Sequence, residues 1–156
     1  MRKLVIAALL SLATALPAMA DWTVKPDGTA MIETDGSSSL TLRCDNNANT
    51  GNRPGWNVRI DALNLRTLGT STRVDFRFPG YRTLSLMADN RMGFVSLESM
   101  NMPTQGDLET LVRRLKAASR VTVTVIDNTS GNALEPLAFN LRGSSKAIGS
   151  VARACR

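Results

Sequence analysis

The sequence predicts a mainly β domain: an antiparallel β-sandwich-like sheet with one internal helix, one C-terminal helix and a single disulfide. Three observations predict it. Apolar residues recur at every second position in one segment after another, turn-forming residues separate those segments, and the only two cysteines, Cys44 and Cys155, lie far apart in the chain. Alternation with one polar side is the pattern of half-buried antiparallel strands.

The elements follow in order. Leu40, Leu42 and Cys44 alternate with Thr41 and Arg43; Val58, Ile60 and Ala62 alternate with Arg59 and Asp61. Val74, Phe76 and Phe78 alternate with Arg73, Asp75 and Arg77, and Val121, Val123 and Val125 with Thr122 and Thr124. Leu137, Phe139 and Leu141 close the series, and shorter strands are expected over 22–24, 30–33, 82–87 and 91–97. Pro26-Asp27-Gly28, Asp35-Gly36, Pro79-Gly80, Asp89-Asn90 and 128–132 carry turn chemistry. Leu108, Leu111, Val112, Leu115 and Ala118 predict a helix over 106–118, with acidic residues early and basic residues late, as the helix dipole favours. Ile148, Val151, Ala152 and Cys155 predict a terminal helix capped by Ser144 or Ser145. Cys155 falls on its inner stripe and is expected to meet Cys44.

Residues 1–20 read as a cleavable signal peptide. Arg2 and Lys3 precede an apolar core at 4–16, too short to span a bilayer, and Ala18-Met19-Ala20 is a small-x-small cleavage site. Asp21 at the next position excludes lipoprotein processing there. The expected product is one domain over 21–156 with no transmembrane segment, located in the periplasm or secreted. The formal charge falls from +6 to +4 when Arg2 and Lys3 leave, too small a surplus to imply a nucleic-acid partner. In an oxidising compartment, two cysteines without CxxC spacing read as one structural disulfide. Closing a loop of that size is worth about 4–5 kcal/mol.

Catalytic and metal chemistry find little material. The chain has no histidine, which removes Ser-His-Asp and Cys-His nucleophiles and histidine metal sites. The Ser144-Ser145-Lys146 run lacks SxxK spacing because position 143 is glycine. Residues 45–51 start like a calcium loop, but Thr50 and Trp56 stand where an EF-hand needs Gly and Glu. No catalytic residue, metal or cofactor is assigned. Asp61 and Asp75 offer a carboxylate pair for hydrolysis, but neighbouring arginines make cross-strand ion pairing the preferred account.

Two candidate binding features remain. Arg43, Arg59, Arg73 and Arg77 share the outer strand face and would form a cationic stripe if their strands are neighbours. The simpler account is a solvated face whose charges discourage edge pairing. The irregular piece at 45–55 supplies a candidate binding loop with Asn46, Asn47, Asn49, Asn52 and Trp56.

Leu40-Thr41-Leu42-Arg43-Cys44, Val74-Asp75-Phe76-Arg77-Phe78, the helix-to-strand run 111–123 and the closing Phe139-x-Leu141-x-Gly143, Ala147-Ile148 and Cys155 resemble the type VI secretion-associated accessory proteins of the VasI/TagO kind. The chain is also similar to the invasion-associated locus B group. The resemblance implies a small periplasmic β-sandwich-like protein that binds partners without a catalytic site. The expected function is therefore a non-catalytic accessory or adaptor contacting an envelope protein or cell-wall polymer, linked to secretion or host interaction. The alternatives are an inhibitor of a lysozyme-like or other hydrolase, inserting the 45–55 loop, and a carboxylate-dependent hydrolase. Oligomeric state is left open.

Overall fold

A computed structural model describes residues 21–34, 37–47, 53–98 and 105–155. The segment read as a signal peptide lies outside them. Among the described residues, nine strands form one continuous antiparallel sheet: β1 (Thr23–Val24), β2 (Ala30–Thr34), β3 (Ser38–Asn47), β4 (Arg53–Ala62), β5 (Ser71–Arg77), β6 (Leu84–Asn90), β7 (Phe94–Glu98), β8 (Arg120–Asp127) and β9 (Leu137–Asn140). Helix α1 (Gln105–Ala117) joins β7 to β8, and α2 (Ser144–Val151) follows β9 and runs into a 3-10 turn, Ala152–Cys155. The described helices are all too short or too polar to cross a membrane.

The spatial order is β1-β2-β3-β4-β7-β6-β5-β8-β9. In place of two facing sheets, one sheet curls into a half-barrel, bringing β9 back toward β2. This corrects the sandwich-like expectation, and the reason is geometric. A strongly twisted sheet of this many strands must curl, and two amphipathic helices are available to fill its hollow. Helix α1 packs on α2 and β4, while α2 packs on β1, β2 and β3. Leu108, Leu111 and Leu115 of α1 and Ile148 of α2 are fully buried against Leu40, Ile60, Val74, Phe76, Val123 and Phe139 of the strands.

The start of α2 differs from the predicted cap. Gly143, at φ +83°, stands at the cap position and makes no side-chain capping bond. Ser144 is buried one residue further on, and its hydroxyl donates to the Leu115 carbonyl at 2.7 Å. The serine therefore ties α2 to the end of α1, satisfying a carbonyl that lacks an intrahelical partner.

The connection from β4 to β5 is the least regular part of the fold. A 3-10 turn, Leu63–Thr67, carries the chain past the ends of β7 and β6 so that β5 can start three strands over. Two polar side chains hold it. The Asn90 amide donates to the carbonyls of Leu65 (2.8 Å), Leu68 (3.1 Å) and Gly69 (3.1 Å). The Asp127 carboxylate accepts from the Gly69 N–H at 2.9 Å, and a Cβ on Gly69 would lie 3.2 Å from that oxygen. Asp89-Asn90, expected as a turn, instead ends β6. The reversal occurs at Arg91-Met92-Gly93-Phe94, where Met92 (φ +50°) and Gly93 (φ +113°) are both left-handed. That is the two-residue geometry favoured by strand twist.

Candidate functional site

The outward side chains of β2, β3, β4 and β7 line a recess of about 470 Å³, walled on one side by the β1–β2 turn. Strand alternation places Met31, Thr41, Arg43, Asn57, Arg59, Asp61, Phe94 and Ser96 on this outer face, while their neighbours fill the core. Register sets the centre. Arg59 lies opposite Thr41 on β3 and Ser96 on β7, and Asp61 lies opposite Ser39 and Phe94.

Arg59 organises the floor. Its Nε donates to Asp61 Oδ2 at 2.8 Å and its guanidinium stacks on Phe94, 3.8 Å from the ring centroid. The fork from Arg59 thus binds a carboxylate two residues along the same strand, and the Asp61 hydrogen bond holds the guanidinium above its ordinary pKa. The Ser39 hydroxyl donates to Asp61 at 3.5 Å. On the wall, Asp27 accepts the Thr29 N–H at 3.0 Å. Hydrogen bonds from Thr29, with Lys25 and Arg43 nearby, hold the Asp27 carboxyl below the usual carboxylate range. Four cationic residues, Lys25, Arg43, Arg59 and Arg91, face two acidic ones, Asp27 and Asp61. Asp89 stands just outside, 3.8 Å from Arg91, so four cations face three acids and the surplus at the recess is positive.

The expected arginine stripe is divided. Arg43 and Arg59 lie together in the recess, but Arg73 and Arg77 stand on β5, separated from β4 by β7 and β6. The outer positions between them include Ser96, Met87 and Asp89. The Arg73 Nε donates to Asp75 at 3.2 Å. Both arginine–aspartate pairs therefore run along one strand, not across two as expected. Following the registers, Asp61 and Asp75 are three strands and six residues apart, roughly 25 Å. A glycosidase pair needs about 5–9.5 Å, so these two carboxylates are not brought together. Among the described residues, no group of three or more His, Cys, Asp or Glu is placed to hold a metal.

The candidate loop at 45–55 is shorter than its composition suggests. Asn46 and Asn47 belong to the backbone of β3, paired with Pro54 and Arg53 of β4. Asn49 and Asn52 lie outside the described residues. Trp56 is not at the tip at all: it is 7% exposed and packs on the concave side against α1. Trp56, Val58, Ile60 and Ala62 share one alternation, so the inner face of β4 simply begins one step earlier than Val58.

Cys44 is half-buried opposite Trp56, and no described cysteine is free. The side chain of Cys155 lies outside the described residues, although the 3-10 turn that carries it packs against β3 and β4.

Sequence reasoning missed three residues at the recess. Lys25 and Arg91 flank turns and carry no periodic signal, and Phe94 falls inside an expected strand whose inner and outer faces the sequence does not distinguish. Its pairing with Arg59 depends on β7 lying beside β4, thirty-five residues later in the chain. No family model, curated protein or solved structure matches this chain.

Proposed function

We propose that this protein is a non-catalytic, exported binding module that takes an acidic polypeptide segment of an envelope partner into the outer-face recess. The positive surplus contributed by Lys25, Arg43, Arg59 and Arg91 carries this reading. The chemistry favours polypeptide over sugar. Phe94, the aromatic ring in the recess, has one face taken by the Arg59 guanidinium, which removes that face from stacking on a sugar. The setting in the envelope is supported by the signal-like start and by the resemblance to type VI secretion-associated accessory proteins. A Cys44–Cys155 disulfide suits that setting, and intact-mass analysis of the non-reduced protein tests it. A free thiol at either position would remove it.

The experiment is a fluorescence-anisotropy titration with a labelled oligoglutamate peptide at low ionic strength. The double variant Lys25→Glu/Arg91→Glu changes exposed side chains and should fold normally. It is expected to weaken binding at least tenfold and to flatten the salt dependence. Equal binding by the variant, or a preference for soluble cell-wall fragments over the peptide, would overturn the reading.

The inhibitor reading keeps one observation in its favour. Pairing with β2 ends at Leu42 and pairing with β7 begins at Asn57, yet β3 and β4 remain paired out to Asn47 and Arg53. That two-stranded arm is the part of the fold suited to entering an enzyme cleft. Loss of inhibition of a lysozyme-like hydrolase on deleting residues 48–52, with the fold retained, tests it.

A further inference from the structure

Among the described residues, the two most exposed large hydrophobic side chains are Met92, at 95%, and Leu63, at 73%. They sit on adjoining segments. Leu63 opens the 3-10 turn after β4, and that turn packs on the β6–β7 reversal: a Cβ on Gly93 would meet Arg66 at 3.2 Å. Met92 is also the one non-glycine among the described residues in the left-handed region. A left-handed conformation costs a non-glycine residue free energy that Asn or Gly at the same turn would avoid. A residue in an unfavourable conformation at full exposure, on a segment adjoining one that carries a second exposed apolar residue, is poorly explained by folding and well explained by contact. The neighbours on either side of Met92, Arg91 and Gly93, lead directly into Phe94, so the apolar tip and the cationic recess share a rim.

We propose that Met92 and Leu63 form an apolar docking step continuous with the recess, and that the occupant is a polypeptide segment with an aliphatic residue next to its acidic ones. This rests on the acidic-segment reading and sharpens it into a sequence preference. Charge selects this occupant over a lipid surface. Asp61 and Asp89 stand at the same end as Arg59, Arg66 and Arg91, so the tip lacks the uniformly basic face that holds a protein on anionic lipid.

The test compares three labelled peptides: oligoglutamate, the same peptide with one Leu inserted, and a neutral Leu-containing control. Binding is followed by anisotropy and by the Met92 methyl resonance in a methyl-labelled NMR spectrum. The Leu-containing acidic peptide is expected to bind about tenfold more tightly than oligoglutamate, as burial of part of one aliphatic side chain provides, and to shift the Met92 methyl. Met92→Asn, which suits the left-handed turn, should erase that gain and leave oligoglutamate binding unchanged. If oligoglutamate binds but the inserted Leu adds nothing, the docking step is overturned and the recess reading stands. If only the neutral Leu peptide shifts Met92, the tip stands and the acidic-segment reading fails. If no peptide binds, both fall, and so does the docking step if phosphatidylglycerol vesicles alone shift the Met92 methyl.

Discussion

Replacing Asn90 with alanine is expected to destabilise the fold by about 2–4 kcal/mol. The Asn90 side chain is buried and offers two N–H bonds to three carbonyls, those of Leu65, Leu68 and Gly69. A neutral hydrogen bond contributes about 1 kcal/mol net, and a buried carbonyl left without a donor costs about 1–3 kcal/mol. Two bonds lost and at least one carbonyl stranded set the range; removing the buried Oδ1, which has no donor among the described residues, offsets part of it. Against a typical total of about 5–15 kcal/mol the loss is large. Urea unfolding followed by circular dichroism at pH 7 measures it. The companion Asn90→Asp points a carboxylate at three carbonyls and should be worse than alanine at pH 7. The folded state disfavours the charged form, so the folded pKa of the new carboxyl lies above its unfolded value. The variant therefore recovers relative stability as pH falls and the acid protonates. An Asn90→Ala loss under about 0.5 kcal/mol, or an Asn90→Asp loss independent of pH, would refute the assignment of Asn90 as the clamp of this connection.

Further expectations concern single side chains. Met92→Asn should raise stability by about 1 kcal/mol, read as a higher urea midpoint, because asparagine tolerates the left-handed region better than methionine. Ser144→Ala should lower stability by about 1–2 kcal/mol, since it removes the buried bond from α2 to the Leu115 carbonyl; hydrogen exchange should quicken at the end of α1. Asp127 accepts backbone N–H bonds from Gly69, Thr129 and Ser130, which hold its carboxyl below the ordinary value of 3.8. Its stabilisation is complete above that value and is lost as pH falls through the lowered folded pKa, so acid unfolding of Asp127→Asn should be less steep than that of the native chain.

Alternation makes the faces of the strands legible in the sequence itself. Val58, Ile60, Val74, Phe76, Val121 and Val123 all point inward as their spacing requires, and α1 begins one residue from its expected start. Alternation says nothing about neighbours, however. A side chain's face depends on its own strand, whereas strand order depends on where connections lead, and here a short 3-10 turn sends β5 past two strand positions. For that reason Arg43 and Arg59 share a surface while Arg73 and Arg77 do not. Asn90 is hidden differently. Beside Asp89 it looks like turn chemistry, but Leu86, Ala88 and Asn90 form the inner row of β6, so a polar residue at the end of an apolar row is the available signal. The exposed face of Met92 carries no signal in sequence, because methionine is an unusual residue for that turn.

The same connection links stability to the binding surface. Phe94 reaches Arg59 only because β5, β6 and β7 fold back to lay β7 against β4, and the path that permits this return is held by Asn90 and Asp127. That path also carries Leu63 and Arg66 to the Met92-Gly93 turn. Loosening the clamp should therefore cost stability and tip-dependent affinity together. Relaxing the turn should do the opposite to stability: Met92→Asn removes a left-handed methionine and gains stability, yet gives up the apolar contact and loses affinity for the Leu-containing peptide. A merely structural role for Met92 predicts no such divergence, since stability would rise with affinity unmoved. Opposite signs in the two measurements on one substitution distinguish a residue retained for contact from one tolerated by the fold.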